Sequence, residues 1–158
     1  MDKLKVINAY DVEGYSPPGA EGKYMSRLLI DGESVGSNNL TLNHFTLYPG
    51  ESTYLGSHPA PYEEVYYILS GVGELVLGAD EEKHEVKAHT VAFIPCGTLH
   101  SIANTGDEPL EMLTMMPLHP EPGANSLYDE RKREWGTSFK LINGSRPVAT
   151  TGALDSIV

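Results

Sequence analysis

Residues 95–104 read Pro-Cys-Gly-Thr-Leu-His-Ser-Ile-Ala-Asn, and they place one histidine where it can be held rigidly. Pro95 fixes φ and Gly97 tolerates positive φ, so the pair marks a tight turn. The alternation from Leu99 to Asn104 predicts a strand with His100, Ile102 and Asn104 on one face. A histidine one step into a strand, straight after a rigid turn, is well placed to ligate a metal ion. A second segment, residues 49–58, runs Pro-Gly-Glu-Ser-Thr-Tyr-Leu-Gly-Ser-His, a turn and then a predicted strand carrying His58. A proline-rich connection through Pro59 and Pro61 leads into an aromatic strand that opens on Glu63 and Glu64 and ends at Ser70-Gly71. On that strand Glu64, Tyr66 and Ile68 share one face, and Glu63, Val65, Tyr67 and Leu69 share the other.

Taken together, the two segments resemble the paired signatures of the cupin superfamily. The second signature, P-x-G-x-x-H-x-x-x-N, is met by Pro95, Gly97, His100 and Asn104, with His89 in place of its usual leading glycine. In the first, Gly50, His58, Glu64 and Gly71 match, and one of two histidines is missing. Counted forward from Gly50, Gly56 takes the first histidine's place and His58 the second. Counted back from Gly71, His58 takes the first and Ala60 the second. The forward count is preferred, since the Pro49-Gly50 turn fixes the strand start and the Pro59/Pro61 loop absorbs the extra residue. His58 survives either way.

The resemblance covers residues 40–116. It implies an all-β double-stranded β-helix, or jelly roll, with a metal inside near one mouth and His58, Glu64 and His100 as its ligands. Glu63 is an alternative carboxylate, because bulges at barrel rims re-aim side chains. His44 is an additional candidate ligand, and Tyr54, Tyr62 and Tyr66 are candidates for a fourth ligand or for a proton or hydrogen-bond donor near the mouth. Two imidazoles and one carboxylate, with open positions, suit non-haem Fe(II), and Zn, Mn, Ni or Co accept the same donors.

The elements needed to position these residues recur along the chain. β-prone runs lie at residues 25–30, 40–48, 65–69, 74–77, 84–86, 90–94, 99–103 and 110–116, separated by turn signals such as Gly78-Ala79-Asp80 and Thr105-Gly106-Asp107. Many short strands with frequent turns predict a sandwich or small barrel. We divide the chain into an N-terminal arm with edge strands (1–39), a barrel core (40–116) and a C-terminal loop, short helix and tail (117–158), as one domain. Residues 10–24 read as an extended loop. Residues 126–136 predict the helix, with Ser126 as N-cap and Gly136 as stop.

Composition narrows the partners. With 22 acidic and 11 basic residues the formal charge is −11, which opposes binding to nucleic acid or anionic lipid. No apolar run has membrane-spanning length and no signal peptide is evident, so a cytoplasmic location is expected. Cys96 is the single cysteine, so no intrachain disulfide forms. Runs that are apolar on both faces, such as residues 65–69 and 91–94, need cover outside the barrel, and we expect a homodimer, as the resemblance also implies. The partner at the site is a small molecule. A metal-dependent enzyme on an oxygenated substrate (carbonyl, enol or carboxylate) is the first expectation, dioxygenase-like by a small margin. An isomerase, lyase or decarboxylase, or a non-catalytic binding cupin, is the alternative.

Overall fold

The computed structural model describes residues 6–12, 14–16, 19–20, 22–31, 35–118 and 140–142. The strands among them are β1 (Gly14–Ser16), β2 (Tyr24–Ile30), β3 (Leu40–Leu47), β4 (Glu64–Ser70), β5 (Val72–Leu77), β6 (Glu82–Lys87), β7 (Val91–Ile94), β8 (His100–Asn104), β9 (Leu110–Pro117) and β10 (Lys140–Ile142). The chain divides into two compact units, residues 1–44 with 118–158, and residues 45–117. The predicted helix at 126–136 lies outside the described residues.

In the first unit a single 3-10 turn, Ala9–Asp11, is capped by Asn8, whose side chain accepts from the Tyr10 amide at 3.0 Å. β1 pairs antiparallel with β2, Gly14 opposite Arg27, and on its other side with β10. Residues 10–24 are therefore not simply the extended loop expected of them. β1 is only three residues long, too short to leave a periodic signature, and its pairing is non-local.

The second unit carries the double-stranded β-helix. β4 lies between β9 and β7, antiparallel to both, and β5 lies between β6 and β8 in a second sheet. Burial alternates along β4, β8 and β9. Glu64, Tyr66 and Ile68 of β4 turn inward, as do Leu110, Met112, Thr114 and Met116 of β9 and His100, Ile102 and Asn104 of β8. Leu47, Ile68, Leu75, Ile94, Ile102, Leu110 and Met112 are at most 2% exposed and form the core. Each contributes roughly 1.5–3 kcal/mol by burial, and together they hold the two sheets face to face. The register of β4 against β9 shifts between Ile68 and Ser70, at the far end of β4 from its glutamates. The alternation at the glutamate end is intact, so Glu64 is buried while Glu63 is exposed.

Candidate metal centre

Three side chains from three separate segments meet in the second unit. Glu64 is the first residue of β4, opposite Ile94 of β7. His100 is the first residue of β8, just past the Pro95–Gly97 turn. His58 belongs to the irregular segment between β3 and β4, not to a strand as expected. Pro59 and Pro61 cannot donate to a sheet ladder, so the segment touches β8 through isolated bridges instead, Ser52 to Ala103 and Gly56 to His100. The Gly97 amide donates to the His58 carbonyl at 2.6 Å, tying the two motif segments together.

One potential ligand atom from each of His58, Glu64 and His100 lies within 4.8 Å of the others. Glu64 Oε2 is 3.2 Å from His100 Nε2 and 3.4 Å from His58 Nε2. The two imidazole centroids are 5.4 Å apart. Glu64 and His100 are buried, whereas the His58 side chain is 22% exposed, so the cluster opens toward solvent on the His58 side.

The donor set fits a cation. His100 Nδ1 lies 2.9 Å from the Thr98 carbonyl oxygen. A carbonyl only accepts, so Nδ1 carries the proton, and in the neutral ring Nε2 presents a lone pair. That lone pair faces Glu64 Oε2, itself buried and without a hydrogen-bond donor aligned on it. Two lone pairs at 3.2 Å repel unless a positive charge sits between them, either a proton or a metal ion. The Thr98 carbonyl is thus the orienting partner usual behind a metal-bound histidine. Nothing in the residue types foretells it, because any residue supplies a carbonyl.

Burial alone pushes the Glu64 carboxyl up, but the facing imidazoles of His100 and then His58 outweigh it and hold it below its ordinary value of 4.5. A depressed carboxyl stabilises the fold above its unfolded value, and that contribution is lost as pH falls through the folded one. We expect chelator-treated protein to lose urea resistance on acidification from about pH 6 to pH 3. The Glu64→Gln variant, titrated alongside, should lack this component of the loss.

The other candidates are dispersed. The metal-ligand grouping among the described residues contains neither Glu63 nor His44. His44 lies in the first unit, with the Tyr10 ring edge-on at 5.4 Å. Tyr54 is 84% exposed and Tyr62 is buried ahead of β4. Tyr66 is the tyrosine beside the cluster, its ring edge-on to His100 with centroids 6.1 Å apart.

Asn104 closes the second motif and does structural work there. Its Nδ2 donates to the Leu47 and Glu108 carbonyls, both at 2.8 Å, and its Oδ1 accepts from the Gly106 amide at 2.9 Å. Losing three hydrogen bonds, that to Leu47 buried and those to Glu108 and Gly106 part-buried, at roughly 1 kcal/mol each predicts that Asn104→Ala costs about 3 kcal/mol. Chemical denaturation should show this loss while the folded variant keeps its metal content.

The chain is similar to known proteins. Residues 43–116 match the family described as Cupin domain. An oxalate-binding protein of Thermotoga maritima is 33% identical over 100 residues, which cover 63% of this chain and 80% of that protein. An uncharacterized protein of Methanocaldococcus jannaschii is 45% identical over 64 residues, 40% of this chain, and the match spans about half (49%) of that relative's length. Among solved structures, the polyketide cyclase RemF from Streptomyces resistomycificus superposes with a TM-score of 0.66 at 26% identity, over 84% of this chain and 94% of that one. A predicted oxalate decarboxylase from Thermotoga maritima gives 0.63 at 27% identity, over 73% of this chain and all (100%) of that one. The site is thus a histidine and carboxylate cluster inside a double-stranded β-helix. The chain belongs to the cupin superfamily.

Proposed function

We propose that this cupin holds a divalent cation through His58, Glu64 and His100 and acts as a metal-dependent enzyme on a small oxygenated substrate. Fe(II) is the preferred ion and a dioxygenase-like oxidation the preferred reaction. The observation that carries this reading is the buried pair of lone pairs, Glu64 Oε2 against His100 Nε2 at 3.2 Å. A bound ion would supply Lewis acidity toward a carbonyl, enol or carboxylate oxygen, or activation of O₂ if it is iron. The chain's own groups do the rest. His58, the exposed member, marks the side of entry. The buried walls of β4, β8 and β9 exclude water. Tyr66, edge-on to His100, is the residue to donate a hydrogen bond or proton to the substrate.

A second reading is binding of a small dicarboxylate without turnover. The likeness to an oxalate-binding protein favours it. One experiment separates the two. Iron-loaded protein is screened for oxygen consumption and carbonyl isomerisation, and the same preparation is titrated with oxalate by calorimetry. Turnover that disappears with Glu64→Gln supports the enzyme. Stoichiometric oxalate binding with no turnover supports the binder, metal-free protein with an intact fold defeats the enzyme, and neither turnover nor oxalate binding defeats both.

A further inference from the structure

Among the described residues of the first unit stands a buried cation with no carboxylate paired to it. Arg27, at the centre of β2, is 6% exposed, and its Nε is enclosed without an acceptor. Among the described residues no carboxylate pairs with it. The chain carries twice as many acidic as basic residues, 22 against 11, so this isolation does not follow from a shortage of carboxylates. A buried charge is ordinarily paired, because taking an unpaired guanidinium out of water is costly.

The surroundings form a cradle. The Tyr10 ring lies over the guanidinium, its centroid 5.5 Å from Cζ. The same ring meets His44 edge-on at 5.4 Å. Across the ladder from Arg27 stands Gly14, where an added Cβ would collide with the Met25 side chain and come within 3.6 Å of Arg27 Cγ. A side chain opposite the arginine stem is thereby excluded. The cation–π contact with Tyr10 uses no N–H donor of the guanidinium. Nε and the neighbouring Nη present two parallel donors, the fork that matches a carboxylate. Tyr10 itself is 62% exposed and belongs to the 3-10 turn Ala9–Asp11, so this part of the cover is a surface side chain.

We propose that Arg27, under Tyr10, is a binding site for the carboxylate of a small organic acid. The site rests on residues of the first unit and does not depend on the metal reading.

Succinate is the probe, with succinamide as its uncharged analogue and inorganic phosphate as a competing oxyanion. Full-length protein is followed by calorimetry and thermal unfolding. Succinate should bind saturably and raise the melting temperature, and succinamide should do neither. Arg27→Met should weaken succinate binding about tenfold or more, the loss of a charge-assisted bidentate contact. Its ligand-free melting temperature should equal or exceed that of the wild type, because a buried unpaired charge has been removed. Tyr10→Ala should weaken binding with the fold retained, and Glu64→Gln should leave the succinate response intact, which separates this site from the metal cluster. The proposal is overturned by absent or unsaturable succinate binding, by binding that survives Arg27→Met, or by tighter binding of phosphate. A marked fall in the ligand-free stability of Arg27→Met would also overturn it, since the chain itself would then satisfy the guanidinium.

Discussion

His100→Ala is expected to leave the purified protein with less than about a tenth of the bound metal of the wild type after dialysis, with its β-sheet signature intact. Changes in groups that merely orient a metal-bound histidine cost about 10- to 100-fold in affinity. Removing a ligand from a set of three should therefore cost more than about 100-fold. The fold should persist because the backbone of residue 100 keeps its exchange with Gly56, donating at 2.8 Å and accepting at 3.1 Å, whatever the side chain. Alanine also removes the imidazole that holds the buried Glu64 carboxyl down, so the metal-free variant should unfold somewhat more easily than metal-free wild type while remaining folded. Elemental analysis and circular dichroism on the same sample check both halves. His44→Ala is the control, since His44 stands outside the cluster and should keep its metal. A His100→Ala protein that retains stoichiometric metal would remove the basis of the proposed function.

How much of this was legible in the sequence differs from residue to residue. Parity puts Glu64 and Glu63 on opposite faces of β4, and the spacing to Gly71 selects Glu64, which lies on the buried face because the register shift of β4 falls at its other end. His100, Ile102 and Asn104 share the inner face of β8 for the same reason. His58 is a different matter. The motif finds it, but the strand expected to carry it is an irregular segment held by isolated bridges to β8. Contacts of that kind join residues far apart in the chain, Ser52 to Ala103 and Gly56 to His100, and leave no periodicity to read. The missing first-motif histidine has a plain counterpart in space. Gly56, which takes its place in the forward count, bridges His100 by backbone alone and offers no ligand atom. The Asn104 side chain reads as part of a ligand-bearing motif, yet its three bonds go to Leu47, Glu108 and Gly106. A motif records which residues a family keeps, and it does not say whether chemistry or stability keeps them.

Gly71 shows the same distinction and carries the largest stability loss expected here. It ends the first motif and makes the turn from β4 into β5 at φ +85°. A Cβ added there would lie 2.7 Å from the Pro109 carbonyl oxygen and 2.8 Å from Leu110 Cα. Both atoms are backbone, so no side chain can swing aside. Leu110 is also fully buried and begins β9, the partner of β4. Relief of the clash must therefore move a strand start out of the core. Left-handed backbone costs an alanine about 1–2 kcal/mol, and overpacking against unyielding neighbours adds about 1–3 kcal/mol. Gly71→Ala should thus destabilise by about 2–5 kcal/mol, a large share of the total for a domain of this size. Gly78 is the matched comparison, because it has φ +76° but nothing within 4 Å of an added Cβ. Gly78→Ala should lose the conformational part alone, about 1–2 kcal/mol. Denaturation midpoints of the two variants measured side by side separate dihedral strain from steric conflict. Equal losses would mean that the chain yields freely at Pro109–Leu110, and that the final motif glycine is needed for its dihedral freedom alone.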